Sequence, residues 1–506
     1  MTMAVDRDAL IKFLKGRGYE VNTGMDSEIE LWKSWYKGKV DSFHSYRLYN
    51  GVNWIRETMF SMQLGKTTSE QVANFLFNEK VGISIDDGSA QADREATVEA
   101  QFAGVIGDNP TAEFVRNAFD QNDMYVKINE MQERKSAYGT VVYIPYYSGE
   151  RIRENFILSD SMVPLSWENG TINELCVYSP VTVLGAEYVY VQLFTLSKNP
   201  GGLLDAQKPT YTIENILLKR KTEDRAKTGN VEYEAVDEIS AVPGYENVDP
   251  VIDTKSTARP FVVDRLNIAN NIDPDSPFGL SIFANAIDPM KMCDTVFDSY
   301  VNEFILGRKR IMVAEEAMGS ISGKPGFDPN EKVFYRVPVE MHEDGKPFIQ
   351  EMDMKIRAED HRRAMQDALS TFGHQCGLGN NLYDYSPGGP VTATQVVSEN
   401  SDLFRAIKKH EIILESVLVD LIRLHIEVGV RNNMAEGLNP GSKITIRFDD
   451  SIIEDKDQEI RRRMAEVAAG LYDPVAYMAW RFGVTRDAAR MLMPSMPEGN
   501  QEEGVQ

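Results

Sequence analysis

The chain has 506 residues and a formal net charge of −23, from 54 Lys and Arg against 77 Asp and Glu. That excess of carboxylates argues against a protein that grips nucleic acid, because grip comes from cations neutralising phosphates. It suits an acidic, soluble surface, and equally a surface that DNA must slide past without sticking. Length favours two or more lobes.

No apolar run reaches the roughly 20 residues of a membrane span, and the first 14 residues, with Asp6 and Asp8, do not read as a signal peptide. Cys176, Cys293 and Cys376 are far apart without a CxxC pair and read as reduced, mostly buried thiols. Up to about residue 135 the chain reads as short helices. Thr67 and Glu70 offer a capping box ahead of Val72, Phe75 and Leu76. Asn109-Pro110 leads into one amphipathic helix over 112–134, with Phe114, Val115, Phe119, Val126 and Ile128 as its apolar positions. From Tyr138 the texture turns to strands: 140–147, 185–196, 211–219 and 231–236, the last two flanking a charged turn at 227–230. Residues 1–277 thus read as an α+β half.

The second half opens with Asp288-Pro289, Asp as N-cap and Pro at the first helical position, where a missing N–H costs nothing. This helix runs to Leu306 and stops at Gly307. Its stripe of Met290, Cys293, Phe297, Tyr300, Val301 and Phe304 nearly keeps a seven-residue repeat. A compact insert follows over 308–356, with a strand-like 332–337 and a turn at Asp344-Gly345, then a second helix over 358–376 bearing Met365, Ala368, Leu369, Phe372 and Cys376. Residues 377–390 hold four glycines and two prolines, which excludes regular structure. Thr392 to Gln395 is again a capping box, and 391–428 contains neither Gly nor Pro. An unbroken helix there would be about 57 Å long. A short strand over 443–448, helices over 455–469 and from Asp473-Pro474, a last helix capped by Thr485 to about 493, and a disordered tail over 494–506 complete the chain.

Signatures of catalysis fail one by one. Gly65-Lys66-Thr67 imitates the end of a P-loop, but the first glycine should stand at Phe60; Gly377-Leu-Gly379 would need a third glycine at Leu382. Gly279-Leu-Ser281-Ile-Phe283 lacks the closing glycine of a nucleophile elbow, and the Asp273 to Pro277 run departs from a calcium loop at Pro277. The six histidines form no HExxH pattern and read as isolated side chains rather than a metal site. With 77 carboxylates, a neighbouring pair such as Asp449-Asp450 says almost nothing about acid–base chemistry. No enzyme, cofactor or metal is expected.

The order of elements, an α/β lobe, a helix, a small insert, a helix, a Gly/Pro loop, a very long helix and a terminal helical cluster, resembles that of tailed-bacteriophage portal proteins, the head-to-tail connectors. Local wording is similar to portals of phages that infect Gram-positive bacteria. It covers Ser281 to Asp288, Asp298 to Phe304, Gly307-Arg-Lys-Arg-Ile311, Cys376-Gly-Leu-Gly379 and, above all, Thr392-Ala-Thr-Gln-Val-Val-Ser-Glu-Asn-Ser401 leading into Lys408-Lys-His-Glu411. Tyr49-Asn-Gly-Val-Asn-Trp54 extends it into the first half. The resemblance implies an α+β portal fold: a wing (1–277, with the long helix and return strand of 391–449), a two-helix stem (278–307 and 357–376), a small α/β clip (308–356), a tunnel loop (377–390) and a helical crown (450–493). It further implies a ring of twelve at one capsid vertex. That ring would serve as the channel for packaging and ejecting double-stranded DNA and as the platform for tail attachment. Its partners would be the terminase large subunit, head-completion or adaptor proteins, and major capsid and scaffold proteins, with no membrane. Its location would be the virion, and the host cytoplasm during assembly.

Three groups of residues carry these roles. Met290, Phe297, Tyr300 and Phe304 form a stripe that serves either core packing within one subunit or a seam between neighbours. Asn380, Asn381, Leu382, Tyr383, Asp384 and Tyr385 would lie in the channel, where uncharged groups touch phosphate without the salt-dependent hold of Lys or Arg, unless the loop is a mere connector. Arg308, Lys309 and Arg310 either complement a helix C-terminus or offer a basic patch to DNA or the motor. Rival readings are a minor capsid or head protein without a channel and a packaging nuclease or ATPase; neither explains the order of elements.

Overall fold

Between residues 140 and 265 alternating apolar and polar side chains build most of the β-structure, and the long apolar helix that follows much later packs against part of it. The computed structural model describes residues 5–49, 53–88, 104–197, 209–221, 231–307, 310–314, 334–337, 349–352, 355–380, 382–383, 401–448, 456–482 and 489–491. In chain order the elements are α1 (Arg7–Gly16), α2 (Asp26–Tyr36), α3 (Asp41–His44), β1 (Ser45–Tyr49), β2 (Trp54–Thr58), α4 (Leu64–Leu76), β3 (Gly82–Asp86), β4 (Gly104–Ile106), α5 (Pro110–Gln121) and α6 (Met124–Tyr138). Then come β5 (Thr140–Ser148), β6 (Arg151–Leu158), β7 (Met162–Glu168), β8 (Thr171–Val183), β9 (Ala186–Leu196), β10 (Tyr211–Arg220), β11 (Tyr233–Ala235), β12 (Val251–Asp253) and β13 (Val262–Arg265). The second half holds α7 (Ile287–Leu306), β14 (Arg310–Ala314), β15 (Phe334–Val337), β16 (Ile349–Met352), α8 (Ala358–Gln375), the long helix Ser401–Arg431, β17 (Lys443–Arg447) and the helices Lys456–Ala468 and Pro474–Phe482. The fold is α+β. The chain divides into two compact units: Met1–Lys37 with Gly65–Ala284 and Gly388–Gln506, and Gly38–Leu64 with Asn285–Pro387.

In the first unit a six-stranded sheet runs β11-β10-β9-β8-β7, with β12 also on β10. One face, Val163, Cys176, Val189, Val191, Leu193 and Leu218, is closed by Leu10 and Leu14 of α1. Each such side chain contributes about 1.5–3 kcal/mol when fully buried. Asp6 caps α1, its carboxylate accepting the Ala9 N–H at 3.0 Å. A second sheet, β13-β5-β6, carries the long helix, whose Leu414, Leu418, Leu421, Ile422 and Ile426 are fully buried.

That contact also buries charge. Lys135 of α6 and Asp264 of β13 form an ion pair at 3.1 Å with both side chains fully enclosed, and Gln132 donates to the other carboxylate oxygen at 2.8 Å. Removing one partner of such a pair costs about 3–5 kcal/mol. His410 of the long helix accepts the Asn267 N–H at Nδ1, 3.1 Å. Burial, then the charges of Lys135 and Lys409, push its pKa down to about 3, so the ring stays neutral. Further along, His425 Nε2 meets Glu154 of β6 at 3.2 Å in a fully buried pair while Nδ1 donates to the Leu421 carbonyl. Burial raises the glutamate against the opposing pull of His425, and Glu154 together with the Leu421 carbonyl outweighs burial in raising the histidine.

Three local expectations are corrected. Residues 112–134 are not one helix: the break falls at Asn122-Asp123, where Asp123 adopts φ 51° and the Asn122 amide donates to the carbonyls of Ala118 and Ile152. Short polar side chains offer the backbone this alternative to the helical ladder. Thr67 is not a cap, since α4 already begins at Leu64. Asp288 lies inside the first turn of α7 rather than at its cap, where its charge still favours the helix dipole, and it pairs with Lys291 at 2.9 Å. Of the 38-residue stretch free of Gly and Pro, 401–428 is helical within Ser401–Arg431, while 391–400 lies outside the described residues, as do most of the last helix and the tail.

The neutral His410 sets a direction for acid sensitivity. Its folded pKa is depressed, so it adds stability above its unfolded pKa of about 6.5 and loses it as pH falls from there toward 3. Between pH 6.5 and 5.5 this loss is about 1 kcal/mol. His410→Asn, which keeps an acceptor for Asn267, is expected to lower that loss in urea titrations; an unchanged pH dependence would contradict the assignment.

Candidate functional site

The second unit is built on a helical hairpin, and α7 is a helix with two differently made sides. Met290 and Cys293 are buried, Phe297 is half-buried, Tyr300 stacks on His361 of α8 at 5.0 Å, and Phe304 packs on Tyr300 at 5.1 Å while remaining half-exposed. The near-heptad stripe is therefore occupied, at Tyr300, by the chain's own second helix. A second stripe of Asp294, Asp298 and Asn302 repeats every four residues on another side.

That polar stripe holds residues 38–64. Asp294 Oδ1 accepts the Met62 N–H at 2.7 Å and Oδ2 receives the His44 Nε2 proton at 2.8 Å. His44 Nδ1 accepts the Val40 N–H, which places the ring proton on Nε2. Asp298 accepts the Phe60 N–H at 2.9 Å and the Asn302 amide at 2.9 Å. Both aspartates are buried, at 2% and 7% exposure. Residues 38–64, which the sequence reading left in the N-terminal half, are strapped to α7 by charge-assisted bonds.

At the other end of α7 Glu303 ties the two helices together across the insert. It accepts the Arg357 N–H and guanidinium and meets His361 Nε2. The hydrogen bonds from Arg357 lead in holding its pKa down to about 2. Between these helices the insert forms a three-stranded sheet in the order β15-β14-β16, with β14 parallel to β15 and antiparallel to β16. Arg310 opens β14, whereas Arg308 and Lys309 lie outside the described residues.

The loop after α8 has a built root. Leu378 N–H bonds the Gly373 carbonyl and Gly377 N–H that of His374, both at 3.0 Å, with Gly377 at φ 75°. This is the Schellman ending, in which the left-handed position favours glycine. The chain then folds back so closely that a Cβ on Gly373 would lie 2.6 Å from the Gly379 carbonyl oxygen. Leu378 is buried, Asn380 exposed and Leu382 half-buried. Tyr383, expected to face a channel, is 6% exposed, its ring 5.9 Å from that of Phe372. Asn381, Asp384 and Tyr385 lie outside the described residues.

The sequence reading found the stripe and the loop but missed Asp294, Asp298, His44, Glu303 and Arg357. The signal available was the four-residue spacing of Asp294, Asp298 and Asn302 inside an otherwise apolar helix, which a water-facing side alone would also produce. Among the described residues no group of His, Cys, Asp and Glu is arranged to hold a metal, and no helix is long and apolar enough to cross a membrane.

Residues 26–492 match the family described as phage portal protein, SPP1 Gp6-like. No curated protein matches the sequence. Among solved structures, the chain is similar to one in the neck of an empty GTA particle, at 10% identity and a TM-score of 0.41, covering 81% of this chain and 88% of that one. It is also similar to a chain of the virion of the native gene transfer agent particle, at 9% identity and a TM-score of 0.36, covering 83% and 89%.

Asp294→Ala strands the Met62 N–H and His44 Nε2 in a buried site. Hydrogen bonds to charged groups are worth about 1.5–3 kcal/mol each. Hydrogen exchange is expected to speed at Met62 by one to two orders of magnitude, with the amides of β8 to β10 unchanged; unchanged protection at Met62 would show that the strap is held by something else.

Proposed function

The chain belongs to the SPP1 Gp6-like phage portal family, a structural family, and on that basis we propose that it works as a ring of twelve through which double-stranded DNA enters and leaves the capsid. The observation that carries the reading is the α7–sheet–α8–loop unit: two antiparallel helices closed at one end by Glu303 with Arg357 and His361, and continued at the other by a loop with a fixed root. In this reading the hairpin is the stem lining the channel and the loop projects into it.

The three-stranded insert is the clip. It offers Arg310, and from outside the described residues Arg308 and Lys309, to the terminase large subunit during packaging and to head-completion proteins afterwards. The first unit with the long helix is the wing against major capsid and scaffold proteins, and residues 450–493 form the crown. The protein resides at one vertex of the virion and in the host cytoplasm while heads assemble.

The loop's division of labour follows from its root. Tyr383 and Leu378 fix it on α8, which leaves Asn380, Asn381, Leu382, Asp384 and Tyr385 to meet the duplex. A fixed root followed in sequence by uncharged and acidic residues suits a passage that must touch phosphates without holding them, since phosphate affinity scales with the number of cations engaged. The net charge of −23 works in the same direction. The ring supplies passage and seal, and the motor supplies the energy.

Mass photometry of the purified chain over a concentration series tests the assembly. A species of about 685 kDa, twelve copies of the 57.1 kDa chain, is expected. A chain that stays at 57.1 kDa throughout, alone and with scaffold protein, would contradict the ring.

A further inference from the structure

The strap on α7 carries a feature that the chain itself leaves incomplete. β1 and β2 form a two-stranded ribbon whose register sets Arg47 opposite Arg56 and Tyr49 opposite Trp54, both pairs on one face. All five residues of β2 are exposed. Trp54 is 69% and Tyr49 54% exposed, their rings 5.3 Å apart. Like charges directly opposite one another destabilise a strand pair, and neither guanidinium has an ion-pair partner among the described residues. An isolated ribbon is marginal in water, yet this one has a firm root: Met59 N–H bonds the His44 carbonyl at 2.8 Å, and Phe60 and Met62 bond Asp298 and Asp294.

We infer that the Arg47/Arg56–Tyr49/Trp54 face of this ribbon docks on α8 of a second copy of this chain, with Asp360 and Asp367 receiving the two arginines. The inference rests on the ring reading above. A ring needs two different, complementary patches on each subunit, because its interfaces are head-to-tail. The ribbon supplies arginine beside two aromatics, the residue types that dominate interface energetics. The complement is a pair of carboxylates on α8, with Arg357 acting on Asp360 and Arg363, held by Glu359, between the two. Asp360 and Asp367 are exposed, make no ion pair among the described residues, and stand seven residues apart, two turns along one side of α8 at a rise of about 10 Å. Their neighbour Glu359, by contrast, is already paired with Arg362 and Arg363.

Height agrees for one of the two carboxylates, Asp367, while Asp360 lies level with Tyr300. In a ring whose axis runs along the helical hairpin, each patch keeps its own level. The ribbon is rooted at Asp294 and Asp298, on the side of Tyr300 away from the insert. On the antiparallel α8, Asp367 lies correspondingly beyond His361, the residue that stacks on Tyr300. Fully desolvated arginine–carboxylate pairs give register as well as affinity.

A charge swap on the full chain tests this. Arg47→Glu with Arg56→Glu, and separately Asp360→Lys with Asp367→Lys, are each expected to raise the protein concentration needed for ring formation at least tenfold in mass photometry. All four changes together are expected to restore much of the loss, a rescue that a misfolded variant would not show. Arginine variants that assemble like the unaltered chain, or a fourfold variant no better than either double, would overturn the inference while leaving the ring in place. Failure of the unaltered chain to assemble would instead remove the ring reading, and this inference with it. The same variants are titrated with a fluorescent random-sequence duplex: unchanged assembly with lost duplex binding would assign the face to DNA and overturn the docking on a second copy.

Discussion

Two buried carboxylates on one helix organise the second unit. Asp294 and Asp298 sit on α7 out of water, and a buried charge is tolerable only when its lone pairs are met. The donors come from residues more than two hundred positions earlier: the Met62 and Phe60 N–H groups and the His44 ring. Satisfying them fixes residues 38–64 against α7, and that in turn sets where the β1–β2 ribbon leaves the helix. The other side of α7 is committed to α8 through Tyr300 and His361.

This explains which parts were legible in the sequence. Helices and strands whose signal is local came through: β5, β9, β10, the end of α7 at Gly307, and the long helix, where Leu403, Ile407, Leu414, Val417, Leu418, Leu421, Ile422 and Val428 are all buried. The end of α8 at Cys376-Gly377 was visible because glycine marks it whatever surrounds it. Partnerships across the chain were not legible. Asp294 and Asp298 read as ordinary polar positions, since spacing alone does not say whether water or a distant backbone N–H will meet a carboxylate. The packing of Tyr383 was not legible for a related reason. An aromatic in a Gly/Pro loop looks available, and only the fold-back over Gly373 shows it packed on Phe372. The split of 112–134 at Asp123 was missed because amphipathic spacing continued across the break.

The distribution of polar groups differs between the units in a way that suits their proposed roles. In the first unit, charge is sunk into the seat of the long helix, where Lys135–Asp264 and His425–Glu154 are fully enclosed. Such pairs contribute little net stability against an apolar alternative but penalise any other register, which fits a strut whose position must be unique. In the second unit the network is a clamp at each end of the helical hairpin, one holding residues 38–64 and the other joining α7 to the start of α8.

Electron cryo-microscopy of assembled particles tests the central claim most directly, because it asks which part of the chain surrounds the hole. The account predicts rings whose central opening is walled by α7 and α8, with the loop after Gly377 pointing into it. Particles without an opening, or with the opening walled by the six-stranded sheet, would contradict it.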